Sequence, residues 1–117
     1  MKAKVVKTTS IDIAHFLTEY VGVESTLHGH TWGLVFEFEL EQSIHPRDIE
    51  RLTNRVLSDF EHRVLNQLAE FAHIDPTPLN FILVLFEKIR DQCDPEIVKL
   101  AGISVREGSF TWRVENI

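Results

Sequence analysis

Apolar residues recur along this chain with two different periods. Residues 2–15 set Val5, Val6, Thr8, Thr9, Ile11 and Ile13 in near alternation, the spacing of a strand with one face on a core. The stretch 31–42 is clearer: Leu34, Phe36, Phe38 and Leu40 alternate with Glu37 and Glu39, so one face turns inward and the other meets water. From Pro46 the period lengthens. Ile49, Leu52, Val56, Phe60, Val64, Leu65 and Leu68 recur three and four apart and predict an amphipathic helix, with Pro46 in a first turn that needs no N–H from it. A second helix is predicted from Thr77 as N-cap and Pro78 as first residue, through Phe81, Leu83, Leu85, Phe86 and Ile89 to Cys93, where Asp94-Pro95 interrupts it. The tail from Ile103 to Glu115 alternates again around Gly108-Ser109 and reads as a hairpin.

The expected order is ββααββ: an α+β fold in which a four-stranded antiparallel sheet carries two helices on one face. No linker, repeat or low-complexity tract divides residues 1–117, so they are expected to form a single domain. Trp32, Trp112 and Phe110 are either core residues or cover for the other sheet face through subunit contacts.

Composition narrows the function classes. With 117 residues, 44% hydrophobic and 26% charged, the chain is an ordinary globular protein, able to bury about two-thirds of its unfolded surface. Twelve Lys and Arg against 18 Asp and Glu give a net charge of −6, which argues against nucleic acid or an anionic membrane as partner. Lys2, Lys4, Lys7, Asp12 and Glu19 interrupt any apolar leader, and no run is long enough to span a membrane. A single cysteine, Cys93, forms no internal disulfide and reads as a small buried apolar residue. The expectation is a cytoplasmic protein.

The candidate chemistry lies in the histidines at 15, 28, 30, 45, 62 and 73. On an extended segment His28 and His30 project to the same side, so their imidazoles can converge on one ion. A catalytic zinc takes three protein ligands and an open position. His15, at the end of the first strand, supplies the third if the first two strands pair and the connection at 16–27 brings their ends together. Spacing alone fits ordinary surface histidines equally well. A cupin also uses His-x-His but wants a Glu four or five residues later, where this chain has Leu34 and Val35, and the helical block also argues against an all-β cupin.

Six segments in order resemble the 6-pyruvoyltetrahydropterin synthase and 6-carboxytetrahydropterin synthase family, which has the tunnelling fold. Ala14-His15-Phe16-Leu17 is similar to A-H-x-L, and Leu27-His28-Gly29-His30 to L-H-G-H. Asp48 to Leu52 is similar to D-F-x-x-L, and Glu61 to Asn66 to D-H-x-x-L-N. Pro76 to Asn80 is similar to P-T-x-E-N, and Val105-Arg106-Glu107 to the run that ends in the pterin-binding Glu. The resemblance implies zinc on His15, His28 and His30, a pterin ring anchored by Glu107 with Thr77 as a further binding residue, and a proton-transfer dyad of His62 and Glu61. It also implies a homo-hexamer of two trimers with sites between subunits.

The chain departs from that pattern where C-x-x-x-H-G-H has its catalytic Cys, because the residue four before His28 is Glu24. This resembles the type III branch, in which Glu replaces Cys and 7,8-dihydroneopterin triphosphate is cleaved to 6-hydroxymethyl-7,8-dihydropterin, a folate precursor. A carboxylate beside zinc is ionised at neutral pH and can take a proton from a side-chain hydroxyl whose acidity the ion raises. Glu61 stands where the family has Asp, Leu79 where it has Glu and Gly108 where it has Thr. The stretch from Asp48 to His62 is about one helical turn short. Arg63, Arg106 and Lys7 are candidate triphosphate contacts from a neighbouring subunit, while His45 and His73 match nothing and are expected at loops or helix ends. The alternatives are 6-carboxy- or 6-pyruvoyltetrahydropterin synthesis, or a paralogue that binds a pterin or purine without turning it over.

Overall fold

Two long strands form the spine of the protein, for which the computed structural model describes residues 2–116. Strand β1, Ala3–His15, pairs antiparallel with β2, His28–Leu40, from Ala3 opposite Leu40 to His15 opposite His28. Alternation sends Ile11 and Ile13 of β1 and Trp32, Leu34, Phe36 and Phe38 of β2 into the core. Lys4, Val6, Thr8 and Asp12 are exposed on the opposite face.

Helix α1 spans Pro46–Leu57 and α2 spans Pro78–Gln92. Both lie against the inward face, where Ile49, Val56 and Leu57 of α1 and Phe81, Ile82, Leu85 and Ile89 of α2 join one buried cluster with the strand residues. The helix starts follow the predicted chemistry. Pro78 opens α2 while the Thr77 hydroxyl accepts from the Asn80 N–H at 3.1 Å. At α1 the cap is His45, whose Nδ1 accepts from the Arg47 N–H. Among the described residues no helix is long and apolar enough to cross a membrane. Of the three aromatics, Trp32 is wholly buried in the core, Trp112 is half-buried against it and Phe110 is exposed. Cys93 is half-buried at the end of α2; its thiol donates to the Ile89 carbonyl, and burial raises its pKa.

The four-stranded antiparallel sheet is corrected to a five-stranded mixed one, in the order β3-β1-β2-β4-β5. The added strand β3, Arg63–Val64, runs parallel to β1, with Arg63 opposite Ile13 and Val64 opposite Ala14. It comes from a segment expected to be helical, because α1 stops at Leu57 instead of continuing to Leu68. Phe60 and Leu65 are still buried, which is why the helical spacing carries on past the helix. The backbone N–H of His62, however, donates to the Asp12 carbonyl at 2.8 Å, and His62 sits at φ 57. This bond to β1 replaces one within a helix, and the left-handed residue ends any helical course.

The last two strands are β4, Val98–Glu107, and β5, Phe110–Glu115. Their turn is at Gly108-Ser109 as expected, with Gly108 at φ 60. Strand β4 begins before Ile103, since Phe38 pairs with Leu100 and Glu37 with Gly102, leaving Ala101 as an extra residue. Buried Val98 and Leu100 are therefore out of phase with buried Ile103 and Val105, and a search for unbroken alternation sees only the second half. Phe36→Ala, which empties a fully buried ring site, is expected to cost about 3–5 kcal/mol and to lower the urea midpoint without changing the slope. A midpoint equal to that of the parent would place Phe36 outside the core.

Candidate functional site

His15 closes β1 and His28 opens β2 directly opposite it, with His30 two residues further on the same face. Their ring centroids are 4.6 to 5.1 Å apart, and each presents a nitrogen within 4.8 Å of the others. His15 is buried and the other two are partly so.

Backbone carbonyls set the orientation of two of these rings. His15 Nδ1 lies 2.7 Å from the Pro76 carbonyl oxygen and His28 Nδ1 lies 2.7 Å from that of Thr26. A carbonyl oxygen only accepts, so both Nδ1 atoms carry hydrogen, and in the tautomer this selects Nε2 is the bare nitrogen of each ring. Those Nε2 atoms are 3.0 Å apart. Two lone pairs converging at this distance suit a shared cation, and ligating imidazoles whose other nitrogen is tied to a carbonyl are the usual arrangement around zinc. Burial lowers the His15 pKa, and the nearby His28 and His30 add to that effect against the raising influence of the Pro76 carbonyl. Burial thus favours the neutral ring, the form a metal requires.

A cleft of 270 Å³ opens over the three rings, with Glu24 and Glu107 in its wall. Glu24 sits in a 3-10 turn, Gly22–Ser25, that Gly22 opens at φ 80, a left-handed value that favours glycine. The Leu17 N–H donates to the Glu24 carbonyl at 2.7 Å, closing the connection between β1 and β2 into a loop over the cleft. Asn66 holds that loop from below, its amide bonding both the N–H and the carbonyl of Phe16. Asp75 accepts from the Thr18 hydroxyl and the Glu19 N–H, and these bonds hold its pKa below the usual carboxylate value although burial opposes them. Glu107 ends β4; its Oε1 lies 3.2 Å from His30 Nε2 and 2.9 Å from Trp32 Nε1.

The remaining sequence-predicted residues lie elsewhere. Thr77 caps α2 and lines a separate cleft of 480 Å³ with Asp75, Asn66 and Tyr20. Glu61 and His62 pair with each other at 3.3 Å and cluster with Asp12, whose side chain is on the opposite face of the sheet from Ile13 and His15. The Asp12 N–H also donates to Glu61 Oε1 at 3.3 Å. Residues that sequence reasoning missed are Asp75, Asn66 and Trp32. The signal for Trp32 was available, because His28, His30 and Trp32 continue one alternation. The carbonyls of Pro76 and Thr26 left none, since any residue carries one.

The model of the 6-pyruvoyl tetrahydropterin synthase family matches residues 4–115 of the chain. None of the curated proteins matches it in sequence. Among solved structures it is similar to the Caenorhabditis elegans 6-pyruvoyl tetrahydropterin synthase, at 17% identity and TM-score 0.84, covering 100% of this chain and 97% of that one. It is also similar to a Plasmodium vivax 6-pyruvoyltetrahydropterin synthase in which a catalytic glutamate is changed to cysteine, at 14% identity and TM-score 0.75, covering 99% and 98%. The Plasmodium falciparum enzyme gives 14% identity and TM-score 0.74, covering 98% of each chain.

Two outcomes test the site. Purified His28→Ala is expected to lose zinc measured by elemental analysis, and unchanged metal content would remove His28 from the ligand set. Metal-free protein is expected to lose stability as the pH falls below 6.5, because the unfolded chain takes up a proton that buried His15 resists. Urea melts between pH 5 and 7.5 should show this loss, and His15→Gln should weaken it; stability rising toward acid would contradict the assignment.

Proposed function

The chain belongs to the 6-pyruvoyl tetrahydropterin synthase family, and on that premise we propose that it is a cytoplasmic, zinc-dependent pterin lyase that cleaves 7,8-dihydroneopterin triphosphate to 6-hydroxymethyl-7,8-dihydropterin, a folate precursor. The observation that carries this reading is the meeting of His15, His28, His30, Glu24 and Glu107 in one cleft. Held by the three imidazoles, zinc would act as a Lewis acid toward the hydroxyls of the substrate side chain.

In this reading Glu107 accepts hydrogen bonds from the amino and N–H groups of the pterin ring, a pairing that suits a carboxylate, and Thr77, which lines the separate cleft, would reach a ring held by a neighbouring subunit. Glu24 takes the proton from the hydroxyl on the second side-chain carbon. That carbon becomes a carbonyl as its bond to the first carbon breaks, and the electron pair moves into the dihydropterin ring. A proton returned to the first carbon leaves the hydroxymethyl group. The catalytic glutamate of the Plasmodium vivax relative supports Glu24 in place of a thiol.

The His62–Glu61 dyad does not line its own chain's cleft, so we assign it to the cleft of a neighbouring subunit. The unpaired edge of β5 and the edge of β1 that β3 leaves free suit closure of sheets into a ring. A hexamer of two trimers would bring such sites together.

Incubation of zinc-loaded protein with 7,8-dihydroneopterin triphosphate is expected to give the hydroxymethyl pterin by mass spectrometry. A carboxy- or pyruvoyl-pterin would replace this reading with the parent chemistry, and bound but unchanged substrate would mark a binding protein. Glu24→Ala is expected to lose turnover by about a hundredfold or more while keeping zinc and pterin affinity. Undiminished turnover would exclude Glu24. Sedimentation should show a hexamer, and a monomer at working concentration would contradict the shared site.

A further inference from the structure

Trp32 follows His28 and His30 on the inward face of β2, at the point where the imidazole cluster gives way to the core. Its ring stacks on His30 with centroids 6.0 Å apart and planes at 17°, and meets His15 edge-on at 5.3 Å. On another side it packs against Phe81 of α2 at 5.2 Å. These contacts explain a wholly buried aromatic ring. They do not explain why the ring is an indole, whose single polar group is a donor that burial obliges to find a partner.

The partner is the carboxylate of Glu107 at the cleft wall, with Nε1 2.9 Å from Oε1. Glu107 is the last residue of β4, beside the Gly108-Ser109 turn, and its side chain is one-third exposed. An exposed Glu samples many rotamers, and ordering it to receive two neighbouring donors costs entropy at the moment of binding. Among the described residues no Lys or Arg pairs with Glu107; the charge is steadied by the indole N–H and by His30.

We infer that Trp32 is a positioning residue, whose buried N–H fixes the Glu107 carboxylate in the plane that a heterocycle with adjacent N–H donors requires and ties that plane to the imidazole cluster. This rests on the pterin reading of the same cleft. The indole N–H and His30 both meet Oε1, which leaves Oε2 open to receive donors from the ring. The distance between ring anchor and imidazole cluster is then set by a rigid two-ring stack, Trp32 on His30, instead of by a flexible side chain.

The test uses the zinc-loaded protein and neopterin, an oxidised pterin, as a non-reacting probe. Trp32→Phe keeps the packing ring and removes the donor. It is expected to weaken neopterin binding about tenfold to a hundredfold, the effect of losing one hydrogen bond to a charged group, with zinc content unchanged. In a Glu107→Ala background the same change is expected to have little further effect. Equal weakening in both backgrounds, or none in either, would overturn the inference, because a ring that only packs does not act through Glu107. Should Trp32→Phe fail to fold, the indole N–H resonance of Trp32, assigned with Trp112→Phe, is expected to shift on Glu107→Ala; an unmoved resonance would also overturn it. A parent that binds no neopterin overturns the pterin reading instead, and the indole resonance then decides the positioning by itself.

Discussion

The pairing register of β1 and β2 is the constraint on which the rest of the structure depends. His15 faces His28 because Ala3 faces Leu40 at the other end of the ladder, with an unbroken register between them. A slip of one residue would send His28, His30 and Trp32 to the opposite face, and Leu34, Phe36 and Phe38 with them. Burying those apolar side chains is worth about 1.5–3 kcal/mol each, so the core enforces the geometry of the imidazole cluster beside it. The imidazole cluster and hydrophobic burial share one period of two.

The second requirement is to bring three imidazoles together without their charging. Three protonated rings at these distances would repel one another, and His15 is buried away from water that could screen them. The Pro76 and Thr26 carbonyls remove the ambiguity for His15 and His28 by occupying one nitrogen of each ring. Pro76 is delivered by the same turn that starts α2, in which Thr77 caps the helix and the Asn80 side chain donates to the Asp75 carbonyl. Capping and ligand orientation are therefore one piece of local structure. The loop that carries Glu24 is tied down by Asp75 from this turn and by Asn66 from the segment after β3. The two faces of the sheet divide the titratable groups, with the imidazole cluster and Glu107 on the inner side and Asp12, Glu61 and His62 on the outer.

Much was legible in the residues themselves. Alternation in β1 and β2 was visible because each has one buried face, and the same alternation put His28 and His30 on one side. The starts of both helices were readable from Pro46 and from Thr77-Pro78, since a cap and a proline act within one turn. The hairpin at Gly108-Ser109 was readable because its turn needs a residue at positive φ. Local physics leaves local marks. Where α1 ends left none: the spacing of Phe60 and Leu65 is that of a helix, and only the bond from the His62 N–H to the Asp12 carbonyl of β1 turns that stretch into β3. The bulge at Ala101 hid half of β4 for the same reason, since its phase shift has meaning only against β2.

By itself, then, the order of residues determined the layers, the inward faces and the candidate ligands, because these depend on periodicity and on side chains near one another in the chain. Tertiary structure alone decided which backbone carbonyls orient the imidazoles, that Trp32 reaches Glu107 across 75 positions, and that the dyad lies on the other side of the sheet. Each of those is a contact between distant segments. A hydrogen bond of that kind is written into neither partner, and it exists only once the register has brought donor and acceptor within reach.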